Sequence, residues 1–189
     1  MEFWRVCNWH PDAHTASTIG HPLYRWPRQG AGRIDDPDHE YLVLYLADTQ
    51  EGAVAEAFGG YASWTQDIFV PPPGAPAGTV KALVRFTGEP DILDLDDPFT
   101  LQEWSLRPSS VVARNRPSTQ QWSRAMYDAG LHAGISWWSF YEPRWVSSGL
   151  WNIDALTIAQ PPELLSLEHD SVRDAASWIK RVIIKPASK

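Results

Sequence analysis

The run "YLVLYLA" at residues 41–47 constrains this chain more than any other segment. Side chains alternate faces along a strand, so Tyr41, Val43 and Tyr45 point one way and Leu42, Leu44 and Leu46 the other. Both sets are apolar. A strand of this kind is stable only when covered on both faces, which makes it a central strand of a sheet with material packed on each side.

A helix succeeds this strand. Thr49 is placed to cap "QEGAVAEAF", and Gly59 and Gly60 stop it. Upstream, "FWRVC" at residues 3–7 reads as a short strand that leads into a polar loop. Downstream, "VPPPGAPAG" at 70–78 is a surface loop, because proline removes backbone donors and fixes φ. "TVKALVRF" at 79–86 alternates with Val80, Ala82, Val84 and Phe86 on one face, the pattern of a half-buried strand, and "DILDL" offers a further one. "EWSLRPSSVVARNRP" reads as irregular. "STQQWSRAMYDAG" is a helix with a Ser118/Gln121 capping box, an apolar face of Trp122, Ala125, Met126 and Ala129, and a stop at Gly130. "AGISWWSFY" and "SGLWNIDALTI" read as strands, "ELLSLEH" as a possible one, and "SVRDAASWIKRV" as a late helix capped by Asp170. Strands outnumber helices without alternating with them, which predicts an α+β fold.

The 189 residues form one expected domain, and at this size roughly 70 % of the unfolded surface can be buried without a metal or disulfide. The single cysteine, Cys7, leaves no intramolecular disulfide. No apolar run approaches the ~20 residues of a membrane span, and the opening "MEFWRVCNWH" lacks a signal-peptide pattern, so a cytoplasmic protein is expected. A net charge of −7 with scattered Lys and Arg argues against a nucleic-acid partner. An anionic small ligand would have to be held by a few focused arginines. The eleven tryptophans fit either a stacking surface or ordinary packing.

Generic chemical templates fail. There is no phosphate-binding G-x-x-x-x-G-K-[ST], no G-x-S-x-G elbow and no cysteine pair for zinc. His10 and His14 have i, i+4 spacing, but Pro11 and Asp12 make that stretch a turn, so they read as solvated loop histidines. Glu56 projects about 130° from the centre of its helix's buried face at 100° per residue, which by periodicity alone makes it a solvated glutamate. For Arg33, in "GAGRIDDPD", the alternative to an anionic ligand is an exposed pair with Asp35 worth only ~0–1 kcal/mol, too little to hold it from such a ligand, and the aspartates read mainly as turn formers around it.

In order along the chain, "GRIDDPD", "VLYLADTQEGAVAEAF" and "GISWWS" resemble the RES domain family, named for its arginine, glutamate and serine. The family positions fall here on Arg33, Tyr45, Glu56 and Ser139, and its opening "WR" strand on Trp4 and Arg5. The resemblance runs from residue 3 to about residue 155. Two departures stand out: Ile34 where the family has an aromatic residue, and Trp137 where it commonly has tyrosine.

The resemblance implies an ADP-ribosyltransferase-like core of mixed or antiparallel sheets with a few packed helices. It implies NAD as substrate with no metal, cleavage of the nicotinamide–ribose bond, and a bacterial toxin paired with an Xre-like antitoxin. Glu56 would stabilise the oxocarbenium-like ribose. Arg5 and Arg33 would hold the diphosphate. Tyr45 would stack on nicotinamide or adjust a ribose, and Ser139 would orient the ribose or Glu56. Hydrolysis, phosphorolysis and transfer to a specific protein remain open, as does a carbohydrate-acting domain using Asp94, Asp96 and Asp97.

Overall fold

The computed structural model describes residues 1–185. In chain order its elements are β1 (Glu2–Trp9), β2 (Leu44–Ala47), α1 (Gln50–Phe58), β3 (Ser63–Trp64), a 3-10 turn (Gln66–Phe69), β4 (Val80–Thr87) and β5 (Ile92–Asp94). Next come α2 (Pro98–Glu103), α3 (Pro108–Val111), α4 (Arg116–Ala129), β6 (Gly134–Trp138), β7 (Val146–Leu150), β8 (Thr157–Ile158), β9 (Glu163–Leu164), α5 (Asp170–Trp178) and β10 (Val182–Ile183). An eight-stranded sheet runs β5-β6-β7-β2-β1-β4-β8 with β9 also on β4; β10 and β3 form a separate pair. The β5–β6 pairing is parallel and the others in the large sheet are antiparallel, so the fold is α+β with a mixed sheet, as expected.

The doubly apolar run does sit at the centre, between β7 and β1, though only Leu44–Ala47 of it is strand. On one face Trp4 and Ala47 pack with Ala53, Val54 and Phe58 of α1 and with Val172, Ala175 and Ala176 of α5. On the other, Phe3, Cys7, Leu44 and Leu46 meet Val84, Phe86 and Leu150. A third cluster under α4 gathers Ile34, Tyr41, Val43, Met126, Ile135 and Trp137. Four tryptophans (Trp4, Trp64, Trp137, Trp145) are buried in the core, so packing accounts for them.

Several expectations are corrected. β4 is not half-buried: Leu83, from its supposed outer face, is fully buried against α1 and α5, because helices cover the side that a two-layer reading leaves to water. The stretch read as irregular holds α3, with Pro108 at the start, where its missing N–H costs nothing. α4 begins earlier than the capping box predicts: Asn115 is the cap and accepts from Ser118 N. Its inward face is mixed: Met126 is buried and Trp122 packs beside it as expected, but Thr119, Gln120 and Ser123 are buried too, while Ala125 and Ala129 are exposed. "SGLWNIDALTI" breaks into β7 and β8 because Asn152 Oδ1 accepts from Asp154 N at 2.9 Å and turns the chain. Asp170 is the first helical residue of α5, not its cap. Gly59 ends α1 at φ −62°, so left-handed freedom is not its use; a Cβ there would collide with the Tyr141 ring. Among the described residues no helix is long and apolar enough to cross a membrane.

Candidate active site

β1 pairs with β4 along its whole length but with β2 only at Trp4↔Ala47. Beyond that pair the two central strands part, and a cleft of ≈ 360 Å³ occupies the opening. Residues 4–6 and 45–47 flank it, α1 supplies Ala53, Glu56 and Ala57, and Gly32, Arg33, Arg116, Trp137 and Ser147 complete the wall. Arg33, Tyr45, Glu56 and Arg5 are therefore brought together, with Ser139 directly behind Glu56.

The segment carrying Arg33 is held almost entirely through its backbone. Asp35 Oδ2 accepts from Gly30 N at 2.8 Å and Gly32 N at 2.6 Å. Gln120 Nε2 donates to the Gly30 and Gly32 carbonyls at 2.9 and 3.0 Å, and Thr119 Oγ1 to the Arg33 carbonyl at 2.6 Å. This is why α4 turns polar residues inward: what they face is a loop whose carbonyls need donors. Ile34, fully buried, inserts against Gly149 and Val43, where any Cβ at Gly149 would take its place. An aliphatic residue thus anchors this turn where the family uses an aromatic one.

The Arg33–Asp35 pair does not form. The backbone turns at Arg33–Ile34, and Asp35, 4 % exposed, folds back on its own loop's amides. Arg33 Nη1 instead donates to the Val111 carbonyl and, at 3.0 Å, to that of Ala113, while its guanidinium lies 5.9 Å from the Trp137 ring centroid. Burial first, then the neighbouring Arg116, lower the Arg33 pKa from its ordinary value. Trp137, where the family commonly has tyrosine, thereby still presents an aromatic face to the arginine.

Glu56 stands exposed on α1, as periodicity predicts, but the solvent it meets is the cleft. Its Oε1 accepts from Ser139 Oγ at 2.6 Å and Ser147 Oγ at 3.2 Å. Its Oε2 has no partner among the described residues. Ser139, 2 % exposed, is itself fixed by accepting from Tyr141 N at 3.2 Å, so its hydroxyl is an orienting donor. Two donors on one oxygen set the carboxylate's rotation and leave the other oxygen for a ligand.

Tyr45 donates its hydroxyl to Asp35 Oδ1 at 2.7 Å and accepts from Ile34 N at 3.2 Å. Burial and then the Asp35 charge push its pKa well up, so the hydroxyl stays a donor at any physiological pH. What it offers the cleft is the ring, edge-on to Trp137 at 6.5 Å. Arg5 borders the cleft but uses Nη1 on the carbonyls of Pro22 (2.5 Å) and Tyr24 (3.2 Å), bracing the loop beneath β1.

Sequence reading missed Ser147 and Arg116. Ser147 had one available signal: two adjacent serines in the otherwise apolar strand β7. Arg116 had none. The other flagged groups lie elsewhere. His10 Nδ1 accepts from Asp12 N, so its Nε2, 2.9 Å from the Ala77 carbonyl, is the donor of a loop brace. Asp94 takes the Asp96 amide at 2.9 Å, and Asp97 caps α2, so these aspartates shape turns away from the cleft. Among the described residues no group of three or more His, Cys, Asp or Glu could hold a metal.

Comparison with known proteins gives a family and a fold. The profile of the RES domain matches residues 2–176. A chain of the crystal structure of the M. tuberculosis MbcT–MbcA toxin–antitoxin complex superposes with a TM-score of 0.59 at 14 % identity, covering 95 % of this chain and 87 % of that one. No curated protein matches in sequence.

Proposed function

The chain belongs to the RES domain family, and from that premise we propose that it cleaves the nicotinamide–ribose bond of NAD as the toxin of a bacterial toxin–antitoxin pair. The observation that carries this is the Glu56 carboxylate, turned by Ser139 and Ser147 so that one oxygen is free in a cleft shared with Arg33. In the reaction the C–N bond breaks with its electron pair going to the pyridinium nitrogen, so nicotinamide leaves neutral and needs no acid. The ribose becomes oxocarbenium-like, and one carboxylate suffices to stabilise it. Glu56 Oε2 bonds the ribose hydroxyls as that charge develops. Water, phosphate or a protein nucleophile then adds to the ribose carbon.

Arg33 holds the diphosphate, a task suited to a guanidinium, which keeps its charge and offers paired donors, and the unengaged donors of Arg5 hold the neighbouring ribose. Tyr45 and Trp137 supply aromatic wall for the nicotinamide. The antitoxin would be a protein of the Xre-like kind that covers this cleft. A second reading, transfer of ADP-ribose to one protein, draws on Phe140, a large apolar side chain next to Ser139 that is left 53 % exposed.

The test is free nicotinamide released from NAD by the pure protein, with and without cell lysate. Release without lysate supports the hydrolase or phosphorylase, and release only with lysate supports the transferase. No release in either arm overturns the NAD reading.

A further inference from the structure

Arg116 opens α4, a helix of 14 residues, and its side chain lines the cleft. Its Nη1 is buried and finds no hydrogen-bond acceptor among the described residues. Neither Arg116 nor Arg33 takes part in an ion pair among those residues, although the chain carries a net −7. Two guanidinium groups therefore share one wall without a carboxylate between them. Like charges repel, and a buried donor without a partner is unfavourable, so the arrangement is complete only with an anion in place.

The local structure holds them there. Arg33 Nη1 grips the Val111 and Ala113 carbonyls at the end of α3, and that fixes the corner from which Arg116 projects. Thr119, one turn into α4, binds the Arg33 carbonyl in return at 2.6 Å. Arg5, like Arg33, uses Nη1 on two backbone carbonyls, those of Pro22 and Tyr24, so of the three arginines lining the cleft it is Arg116 that has a buried donor without an acceptor among the described residues.

We propose that Arg116, paired with Arg33 at the start of α4, is the second anchor of a diphosphate and makes the cleft select dinucleotides over nucleosides. This rests on the cleft being a nucleotide pocket and extends that reading to a residue outside the family motifs. A single phosphate engages one guanidinium well, whereas a diphosphate spans two and gains a second charge-assisted contact.

Calorimetry with inorganic pyrophosphate tests it on wild type, Arg116→Ala, Arg116→Gln and Arg114→Ala. Arg114 is an exposed neighbour stacked 4.7 Å from the Phe140 ring centroid, and serves as the control for general charge. Wild type binds; both Arg116 variants lose roughly tenfold or more, and Arg114→Ala stays within about twofold. In turnover, Arg116→Ala raises the KM for NAD by about the same factor and leaves that for nicotinamide riboside, which has no phosphate, within about twofold. Equal losses from Arg114 and Arg116, or unchanged pyrophosphate binding in the Arg116 variants, overturn the assignment. If pyrophosphate binding shows the expected pattern while wild type leaves NAD intact, the anchor stands and the NAD reading falls. If NAD is cleaved and Arg116 is indifferent, the reverse holds.

Discussion

Two arginines of the same helix have opposite surroundings. Arg124, on α4, bonds Asp128 through Nε at 2.8 Å, Glu40 through Nη2 and Asp36 through Nη1 at 3.5 Å. Arg116, two turns earlier, has a buried Nη1 with no acceptor among the described residues. The first cluster answers its arginine from within the chain, and it ties α4 to the segment ahead of β2. The second leaves donors over, beside a carboxylate with an oxygen to spare. An arginine balanced by partners of its own chain marks what the protein uses to stay folded, and one left without them marks what it keeps for a ligand.

Substitutions can break that contrast, and the largest effect belongs to the cleft. Glu56→Gln should lower nicotinamide release by ~10²-fold or more with little change in melting temperature, because the side chain is exposed and Gln keeps a carbonyl oxygen to accept from Ser139 and Ser147. A marked fall in melting temperature would show Glu56 to be structural instead. Asp35→Asn lies on the boundary of the two regions. It removes the charged acceptor of three donors, so it should cost about 2–3 kcal/mol, read as a melting point lower by roughly 5–10 °C, together with weaker NAD turnover as the Arg33 turn loosens.

In the balanced region the effects shrink. Burial raises the Asp36 pKa, but the Glu40 and Asp38 amides and then Arg124 outweigh it, and the folded value is lowered. The stability this contributes is present above the unfolded value of ~3.9 and is lost as pH falls through the folded one. Acid unfolding of Asp36→Asn should therefore be less steep below about pH 4 than that of wild type; identical acid limbs would refute the linkage. Arg124→Ala, affecting mostly exposed pairs, should cost no more than ~1 kcal/mol in denaturant melts and leave NAD turnover untouched.

Much of this was legible in the chain. α1 starts and ends where Thr49 and Gly59 place it, and the apolar run at 41–47 sits at the sheet's centre. Periodicity correctly put Glu56 in solvent but could not tell a cleft from open surface; only the family motifs could. The inward face of α4 was read only in part: Met126 and Trp122 pack inward as their spacing predicts, but apolar spacing identifies faces that bury hydrocarbon, and this one also buries hydrogen bonds to a loop. Asp35 is the turn former it reads as, but its partners were not legible, because a nearby opposite charge is visible in sequence whereas two backbone amides brought round by a turn are not. Arg116 escaped notice because its relation to Arg33 spans α3 and the corner after it.

The single rung between β1 and β2 has a consequence for how readily this cleft can be altered by mutation. Where two strands of one sheet separate, each keeps a margin of amide and carbonyl groups facing the gap. A bound molecule can be gripped by that margin as well as by side chains. Main-chain recognition survives every replacement except proline, which deletes a donor. Point changes that disarm the protein while preserving its fold should thus concentrate at a few charged positions, and the shape of the opening should drift far more slowly than the residues that line it.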